Sequence, residues 1–356
     1  MKEFYQGKKV LITGHTGFKG AWLTEVLLSW GAEVMGVALA PITNPNLFSL
    51  LGQQKKISNY FCDIRDNANL KQIIVNEKPE IVFHLAAQPL VRRSYEEPLL
   101  TISTNAAGTA SLLEAVRQAQ TVKAVVVITT DKVYKDQNWV YPYREIDALG
   151  GYDPYSASKA AADIITQSYI QSFFNPKDYQ DKHNTLVTIA RAGNVIGGGD
   201  WSADRLIPDI IRSVYEKNSP VLLRYPKAVR PWEHVLEPLN GYLQLAQRLY
   251  NGEVNIVGVW NFGPLADSFA SVESVTRKIL ANLARGSVLI DPEPTLHEMH
   301  LLRLDISKAT MELGWKPTLS YKETIEQTAQ WYKEYYEQGK VDAITSSQIK
   351  SFFNII

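Results

Sequence analysis

The sequence is almost without cysteine and has no long apolar segment. Cys62 is the single cysteine among 356 residues, so no disulfide can form within one chain, which suits a reducing cytoplasm. No apolar run approaches the roughly 20 residues that a membrane-spanning helix needs. The first residues, MKEFYQGKK, lack the apolar core of a secretory signal. These absences predict a soluble, cytoplasmic protein with no membrane partner.

An excess of charge of either sign is also missing. Lys and Arg together number 37, and so do Asp and Glu together, so the formal net charge is zero. This balance gives no indication of a nucleic-acid partner or of a membrane surface. We find neither low-complexity segments nor repeats at the spacing of solenoid proteins. With 45% hydrophobic and 21% charged residues, the chain has an ordinary globular composition, and its length predicts two associated lobes.

Apolar segments of strand length alternate with helical patterns through the first half of the chain. Their apolar residues are consecutive, as in parallel strands that helices cover on both faces. The alternation predicts an α/β fold with a Rossmann-type, doubly wound parallel sheet. We expect one domain from residues 1–193 with about 235–265, and a smaller, mixed α/β lobe from about 194–234 and 266–356. The predicted strands of the first half are 9–14, 33–39, 60–63, 81–87, 124–130 and 186–192.

A glycine-rich turn, residues 14–20, follows the first predicted strand and precedes a helix. Glycines at its GxxGxxG spacing let the backbone turn tightly and approach a pyrophosphate, which the N–H groups at the helix start can bind. A plain strand-to-helix turn is the alternative. The place of the turn in an α/β chain favours a dinucleotide cofactor. The candidate residues are Gly14, His15, Thr16, Gly17, Phe18, Lys19 and Gly20.

The residue that usually distinguishes NAD from NADP is missing. The second strand ends in VALAP, with neither an acid for the ribose of NAD nor an arginine for the 2′-phosphate of NADP. Asp63, after the third strand, is a candidate partner for the adenine edge, and Ile64 follows it. Capping of the next helix is an equal alternative for Asp63. We predict NAD and leave NADP open.

Tyr155 and Lys159 lie four residues apart in DPYSASKAAAD, so they share one face of a predicted helix that Pro154 starts. A nearby ammonium lowers the pKa of a tyrosine, ordinarily about 10. The phenolate can then take a proton from a hydroxyl while a hydride leaves the same carbon. The spacing arises by chance in many helices. Its combination with the glycine-rich turn favours a catalytic pair.

Two opposite charges, Asp131 and Lys132, follow the fifth predicted strand in AVVVITTDKVYK. Adjacent side chains on a strand point to opposite faces of the sheet. The two can therefore share a site only if the strand ends by about Thr130. A structural ion pair at a polar strand exit is the alternative. We favour a catalytic acid and base.

Several motifs together resemble the extended short-chain dehydrogenase/reductase family. The resemblance covers nearly the whole chain, and the segment TTDKVY is similar to the signature of nucleotide-diphosphoglucose 4,6-dehydratases. The dTDP-glucose enzymes have Glu at the position of Lys132. The Asp-Lys pair found here is similar to that of the CDP-glucose 4,6-dehydratases. The motifs are GHTGFKG, HLAAQ (84–88), NAAG with Asn105, YSASK, RAGNVIG (191–197), RPWEHV (230–235) and LGWKP (313–317).

The resemblance implies a lyase that removes water from CDP-D-glucose and gives CDP-4-dehydro-6-deoxy-D-glucose, with transient transfer of a hydride to bound NAD. It implies that Tyr155, helped by Thr130, deprotonates the 4-hydroxyl group. Asp131 would protonate the departing C6 hydroxyl. Lys132 would either remove the C5 proton or stabilise the enolate as a cation. Further cofactor contacts are implied for Leu85, Ala86, Ala87, Asn105, Tyr155 and Lys159.

The resemblance also implies a substrate-binding arginine, Arg230, and a substrate-facing Asn194. Arg205 and Gln88 are further candidates, although an arginine such as Arg205 is often solvated instead. The segment HEMH (297–300) has no partner cluster, so we predict no metal site. The family implies a homodimer or homotetramer through helices around 105–119 and 155–173. It also implies deoxysugar synthesis for a bacterial surface polysaccharide such as the lipopolysaccharide O-antigen.

Two other functions are considered. A nucleotide-sugar 4-epimerase or reductase would share the glycine-rich turn, Tyr155 and Lys159, but those relatives lack an acid–base pair after the fifth strand. A non-catalytic dinucleotide-binding sensor has no need of Tyr155 or Lys159. The presence of TTDK and of both residues favours the dehydratase.

Overall fold

The computed structural model describes residues 1–290 and 302–355. None of the helices in these ranges is long and apolar enough to cross a membrane. The strands there are β1 (Lys9–Thr13), β2 (Glu33–Ala38), β3 (Ser58–Phe61), β4 (Ile81–His84), β5 (Ala124–Ile128), β6 (Leu186–Ala192), β7 (Asn194–Ile196), β8 (Val221–Leu223), β9 (Val229–His234), β10 (Gly258–Phe262), β11 (Phe269–Ser271) and β12 (Val288–Ile290). The α-helices there are α1 (Lys2–Tyr5), α2 (Phe18–Ser29), α3 (Leu47–Leu50), α4 (Asn67–Glu77), α5 (Val91–Glu96), α6 (Pro98–Ile102), α7 (Gly108–Ala119), α8 (Pro154–Ser172), α9 (Leu206–Ile211), α10 (Leu236–Tyr250), α11 (Val272–Leu283), α12 (Tyr321–Gln338) and α13 (Val341–Ile355).

Seven strands form one sheet in the order β10-β6-β5-β4-β1-β2-β3. All of its neighbouring pairs are parallel. The strand order reverses between β1 and β4, and ligands of open α/β sheets bind at the carboxyl ends of strands at such a point. The predicted α/β fold with a doubly wound parallel sheet is therefore confirmed.

The consecutive apolar residues of the inner strands are buried on both faces, as predicted, whereas the edge strand β3 is exposed or half-buried along its length. In β5, Val125 and Val127 pack among the residues of α4, α7 and α8. Val126 and Ile128 belong to the larger core on the opposite face. Side chains alternate between the faces of a strand. The helices that cover both faces leave the carboxyl edge of the sheet as the place where polar groups can gather.

Several predicted strands extend too far at their carboxyl ends. β4 ends at His84 and β5 at Ile128, whereas the predictions ran to Ala87 and Thr130. β3 begins two residues earlier than predicted and ends at Phe61. Residues after a strand end can stay buried although they no longer pair in the sheet. The end of an apolar segment in the sequence therefore does not mark the residue at which the backbone leaves the sheet.

Helix α8 begins where its sequence predicts. Pro154 occupies the first turn, and the Asp153 carboxylate accepts a hydrogen bond from the backbone N–H of Ser156 (2.9 Å). A proline costs no hydrogen bond at that position, and the aspartate satisfies an otherwise unpaired donor. This start places Tyr155 in the first turn and Lys159 one turn later.

The chain beyond residue 193 adds smaller sheets and returns once to the main one. The strands β11, β9 and β7 form a three-stranded sheet, and β12 pairs with β8. β10 returns to the seven-stranded sheet beside β6. Most of the added strands have three residues, which is too short for a periodic pattern, and only β10 among the strands after 193 was predicted. α12 spans the predicted residues 321–338.

Candidate active site

The glycine-rich turn between β1 and α2 requires glycine at two of its three glycine positions, Gly14 and Gly20. Gly14 has a φ of 78°, and a Cβ there would lie 2.7 Å from the backbone nitrogen of Ala86. Gly17 is the N-cap of α2, and a Cβ on Gly20 would overlap the Gly14 carbonyl oxygen. The backbone of these glycines therefore carries no side chains and is closely packed at the start of α2, where the N–H groups of the first helical turn lie. This arrangement fits the pyrophosphate of a dinucleotide.

Gly14→Ala is expected to weaken NAD binding at least about tenfold and to destabilise the fold by more than about 1 kcal/mol. The new methyl group adds a clash with the backbone of Ala86 to the cost of a left-handed conformation, itself about 1–2 kcal/mol. Quenching of tryptophan fluorescence by NAD and urea unfolding would measure the two effects. Gly7→Ala is the matched control, because Gly7 has a φ of 70° but no atom within 4 Å of its would-be Cβ. Equal NAD affinity in both variants would contradict the assignment of the turn.

Two side chains of the glycine-rich turn hold it against the neighbouring strands. The buried ring of His15 packs over Gly36 and forms a 2.6 Å hydrogen bond with the Asn59 side chain. Burial lowers the pKa of His15, so the ring stays neutral. The Thr16 hydroxyl donates to the Leu39 carbonyl oxygen at 2.9 Å. The predicted cofactor contacts of His15 and Thr16 stay predictions.

Asp63 and Ile64 follow β3 in different surroundings. The Asp63 carboxylate accepts hydrogen bonds from the Arg65 guanidinium, including one of 2.6 Å, and these lower the pKa of Asp63. Asp66, and not Asp63, caps α4, so the alternative role considered for Asp63 is wrong. Ile64 is buried, and its terminal methyl group lies 2.6 Å from where a Cβ of Gly108 would be. The contact of Asp63 with adenine stays a prediction.

The residues after β4 are held by Asn105, which lies in a short π-helical turn before α7. Its side chain accepts from the Gln88 N–H (2.8 Å) and donates to the Ser158 hydroxyl (2.8 Å). The Gln88 amide in turn binds the Thr101 hydroxyl and the Leu90 N–H. Gln88 therefore fixes this loop, and its predicted contact with substrate stays a prediction.

The strand β5 ends before the two charges, as a shared site requires. Thr130 is extended, and Asp131–Val133 form a single 3₁₀ turn. The side chains of Asp131 and Lys132 are therefore not placed on opposite faces of the sheet. Asp131 is only 4% exposed, and one carboxylate oxygen lies 3.0 Å from where a Cβ of Gly193 would be. Glycine at 193 leaves room for the acid.

Burial raises the pKa of Asp131, and the nearby Lys132, Thr130 and Lys19 oppose that rise. A carboxyl group that gains a proton more readily is suited to act as an acid near neutral pH. Lys132 is half-buried beside it. The pair therefore has the composition of an acid and a base at the carboxyl edge of the sheet.

Tyr155 and Lys159 of α8 lie against the end of β5. The Lys159 ammonium donates to the carbonyl oxygen of Ile128 at 2.8 Å, and burial lowers the pKa of this lysine to about 8. Burial raises the pKa of Tyr155 to about 12, although a hydrogen bond from Thr130 and the charge of Arg205 oppose the rise. These groups alone keep Tyr155 neutral. Its activation by Lys159 together with a cationic nicotinamide stays a prediction.

The Thr130 hydroxyl connects the two candidate catalytic groups. It donates to the Asp131 carboxylate at 2.9 Å and also lies within hydrogen-bonding reach of Tyr155. A hydroxyl has one hydrogen and serves one acceptor at a time. A proton on Asp131 therefore leaves the Thr130 hydrogen available to a Tyr155 phenolate.

A buried network under the site was not predicted from the sequence. Asp163 forms two hydrogen bonds with the Arg191 guanidinium (2.8 and 2.9 Å) and accepts one from the Thr129 hydroxyl (3.3 Å). Arg191 also donates to the Tyr134 hydroxyl at 2.7 Å. Two signals could have revealed it: an acid one helical turn after Lys159, and a lone arginine in an apolar strand.

Apart from Gln88, the predicted substrate-binding residues lie on β7, on β9 and at the start of α9. Asn194 is the first residue of β7. Arg205 precedes α9 and forms an ion pair with Asp200 (3.3 Å), so it is not simply a solvated arginine. Arg230 lies on β9 and donates to the carbonyl oxygen of Val229 at 2.8 Å.

No group of three or more metal-binding side chains occurs within 1–290 and 302–355. The segment HEMH, residues 297–300, lies outside the described residues.

Comparisons with known proteins agree with one another. The family model described as GDP-mannose 4,6 dehydratase matches residues 11–328. A CDP-glucose 4,6-dehydratase of Salmonella typhimurium is 49% identical over 94% of this chain and 93% of its own length. A dTDP-glucose 4,6-dehydratase of Xanthomonas campestris is 26% identical over 93% and 95%, respectively. The crystal structure of a UDP-glucose 4-epimerase of Thermus thermophilus in complex with NAD has a TM-score of 0.76 at 24% identity. The match covers 91% of this chain and 98% of that one, and it shows the same fold.

Proposed function

The chain belongs to the family described as GDP-mannose 4,6 dehydratase, within the extended short-chain dehydrogenases/reductases, and from this premise we propose that it is a CDP-glucose 4,6-dehydratase. It removes water from CDP-D-glucose and yields CDP-4-dehydro-6-deoxy-D-glucose. The observation that carries the proposal is the buried acid Asp131, joined through the Thr130 hydroxyl to Tyr155. An epimerase or a sensor has no use for such an acid. The cytidine base follows from the name of the Salmonella relative.

NAD is the cofactor that the residues fit. The backbone of Gly14, Gly17 and Gly20 at the start of α2 would hold its pyrophosphate. β2 ends without an arginine for the 2′-phosphate of NADP. When bound there, NAD would supply a reversible hydride acceptor for C4 and C6 of the sugar, so the reaction would have no net redox change.

The first half of the reaction needs a base at the 4-hydroxyl group. Tyr155 takes the proton of this hydroxyl as C4 is oxidised to a ketone. The Lys159 ammonium and the Thr130 hydroxyl stabilise the phenolate that precedes the transfer. The ketone then acidifies the neighbouring C5–H bond.

The second half uses the 3₁₀ turn Asp131–Val133. Lys132 removes the C5 proton, or stabilises the enolate while it stays charged. Asp131 gives its proton to the C6 hydroxyl, which leaves as water. Burial raises the pKa of Asp131, which favours the protonated form that this step needs. The water that leaves carries the C6 hydroxyl and the Asp131 proton. As the hydride returns to C6, a proton returns to C5, and the proton taken from the 4-hydroxyl group replaces the one that Asp131 gave, so the net loss is one water molecule.

Incubation of the purified protein with NAD and four nucleotide sugars tests the function. CDP-glucose, dTDP-glucose, UDP-glucose and GDP-mannose would be assayed in parallel by alkaline ultraviolet absorbance of the 4-keto product and by mass spectrometry. We expect CDP-glucose alone to lose one water molecule. An unchanged mass would favour an epimerase or a sensor, and loss of water from another sugar would overturn the cytidine assignment.

We also propose a division into two units. Residues 1–193 and about 235–265 form the dinucleotide-binding Rossmann domain, because α10 and β10 return to the main sheet. About 194–234 and 266–356 form the nucleotide-sugar-binding lobe around the three-stranded sheet. The homodimer or homotetramer, the cytoplasmic location and the deoxysugar pathway of the O-antigen stay predictions.

A further inference from the structure

The buried ion pair of Asp163 and Arg191 has no part in the proposed mechanism. Asp163 lies on α8 and Arg191 on β6. Two hydrogen bonds of 2.8 and 2.9 Å join their side chains, which are almost fully excluded from solvent. An ion pair in a protein interior adds little net stability compared with apolar side chains of similar volume. Stability alone therefore does not explain why the chain buries this pair.

Asp163 holds the beginning of residues 129–134, which carry the candidate acid and base and are called the turn segment below. Its carboxylate accepts a hydrogen bond from the Thr129 hydroxyl at 3.3 Å. One residue earlier, the Ile128 carbonyl oxygen accepts a hydrogen bond from the Lys159 ammonium at 2.8 Å. The helix α8 therefore holds the end of β5 with two side chains that lie one helical turn apart.

Arg191 holds the other end of the turn segment, at Tyr134. Its guanidinium donates to the Tyr134 hydroxyl at 2.7 Å and lies over the ring, 4.7 Å from the ring centre. The Tyr134 hydroxyl in turn donates to the side-chain oxygen of Asn261 on β10 at 2.8 Å. The turn segment is therefore fixed at both ends, and one ion pair connects the two points.

The candidate acid and base lie between these two ends, in a 3₁₀ turn whose own hydrogen bonds are long. The backbone nitrogens of Lys132, Val133 and Tyr134 each lie 3.4 Å from their acceptors within the turn. Bonds of this length are weak. The position of Asp131 relative to Tyr155 therefore depends on groups outside the turn.

We propose that Asp163 and Arg191 are positioning residues for the dehydration: they clamp the turn segment against α8 and so fix the distance of its acid and base from Tyr155. This role rests on the proposed function, because both halves of that reaction must act on one bound sugar. Tyr155 acts at C4 from α8, whereas the acid and base act at C6 and C5 from the turn segment. A displacement of about 1 Å can slow such a reaction by about a hundredfold.

Two conservative variants each release one end of the turn segment. Thr129→Val removes the hydroxyl that donates to Asp163. Tyr134→Phe removes the hydroxyl that accepts from Arg191. We expect each variant to lower kcat for loss of water from CDP-glucose by about 10- to 100-fold, because the acid and base are no longer held at the distance that the reaction needs. The KM for CDP-glucose and the Kd for NAD should stay within about twofold of the wild-type values.

Two variants with the same chemical change elsewhere separate positioning from stability. Thr188→Val removes a buried hydroxyl on β6 that donates to the Gly258 carbonyl oxygen at 2.8 Å. Tyr5→Phe removes a buried hydroxyl that donates to the Leu243 carbonyl oxygen at 2.7 Å. We expect melting temperatures to fall by similar amounts in all four variants, and kcat to equal that of the wild type in these two controls.

The values of kcat in the four variants decide whether the clamp exists. A wild-type kcat in both Thr129→Val and Tyr134→Phe would overturn it. An equal loss of kcat in the two controls would also overturn it, because the effect would then follow stability and not the place of the hydroxyl. A wild-type protein that removes water from no nucleotide sugar would instead overturn the proposed function.

Discussion

Tyr155→Phe is expected to lower kcat for the loss of water from CDP-glucose by about a thousandfold. The variant lacks the oxygen that takes the proton of the 4-hydroxyl group, and without that step the C5–H bond is never acidified. Phe keeps the ring in the first turn of α8, so the helix start at Pro154 and its cap by Asp153 are unaffected. The rate would be followed by the alkaline absorbance of the 4-keto product.

Binding separates this effect from a loss of structure. Tyr155→Phe should bind NAD and CDP-glucose within a fewfold of the wild type, as seen by fluorescence quenching and calorimetry. Tyr152→Phe is the matched control, because Tyr152 precedes the same helix but is 81% exposed, and it should leave kcat unchanged. A Tyr155→Phe enzyme with wild-type turnover would remove Tyr155 from the mechanism and with it the proposed order of steps.

The sheet and its glycine-rich turn were predictable because their signals are local. Consecutive apolar residues recur with helical segments, and Gly14 to Gly20 lie within one short stretch between a strand and a helix. The same holds for Tyr155 and Lys159, which one helix turn brings together. The end of β5 before Asp131 was predictable for a different reason. Adjacent opposite charges are compatible with one site only when the strand has already ended.

The contacts that set the protonation of the site were not predictable, because they join distant parts of the chain. The charge of Lys19 acts on Asp131, more than a hundred residues further along the chain, and Arg191 meets Asp163 through the packing of α8 on β6. No periodic pattern encodes such pairs. The sequence also indicated that Lys159 would activate Tyr155, whereas burial of both groups shifts each pKa toward the neutral form. The depth of burial depends on the whole fold.

Asp131→Asn is expected to lower the rate of water loss by about 10²–10⁴-fold while it leaves the earlier steps in place. An amide is close to the carboxyl group in shape, so it fits against Gly193 and can still accept from the Thr130 hydroxyl. It has no acidic proton for the C6 hydroxyl group. Oxidation at C4 and removal of the C5 proton should continue, and substrate recovered from deuterium oxide should therefore carry deuterium at C5. Mass spectrometry would detect a gain of one mass unit without loss of water.

Asp136→Asn is the control for Asp131→Asn. Asp136 is an exposed acid five residues further along the chain, and its side chain accepts a hydrogen bond from the Asn138 N–H (2.9 Å). An amide oxygen can accept the same bond, so dehydration should be unchanged. Full activity in Asp131→Asn would make Asp131 a structural carboxyl group and would remove it from the proposed dehydration step.

Lys132→Arg, assayed by the same deuterium exchange, decides between the two roles left open for Lys132. Arginine keeps the positive charge but cannot lose its proton near neutral pH. If Lys132 stabilises the enolate as a cation, Lys132→Arg should retain exchange at C5. If Lys132 is the base, exchange and water loss should fall together, while Asp131→Asn loses only the second. If exchange is lost in Lys132→Arg and kept in Asp131→Asn, the C5 and C6 steps belong to separate residues of the turn.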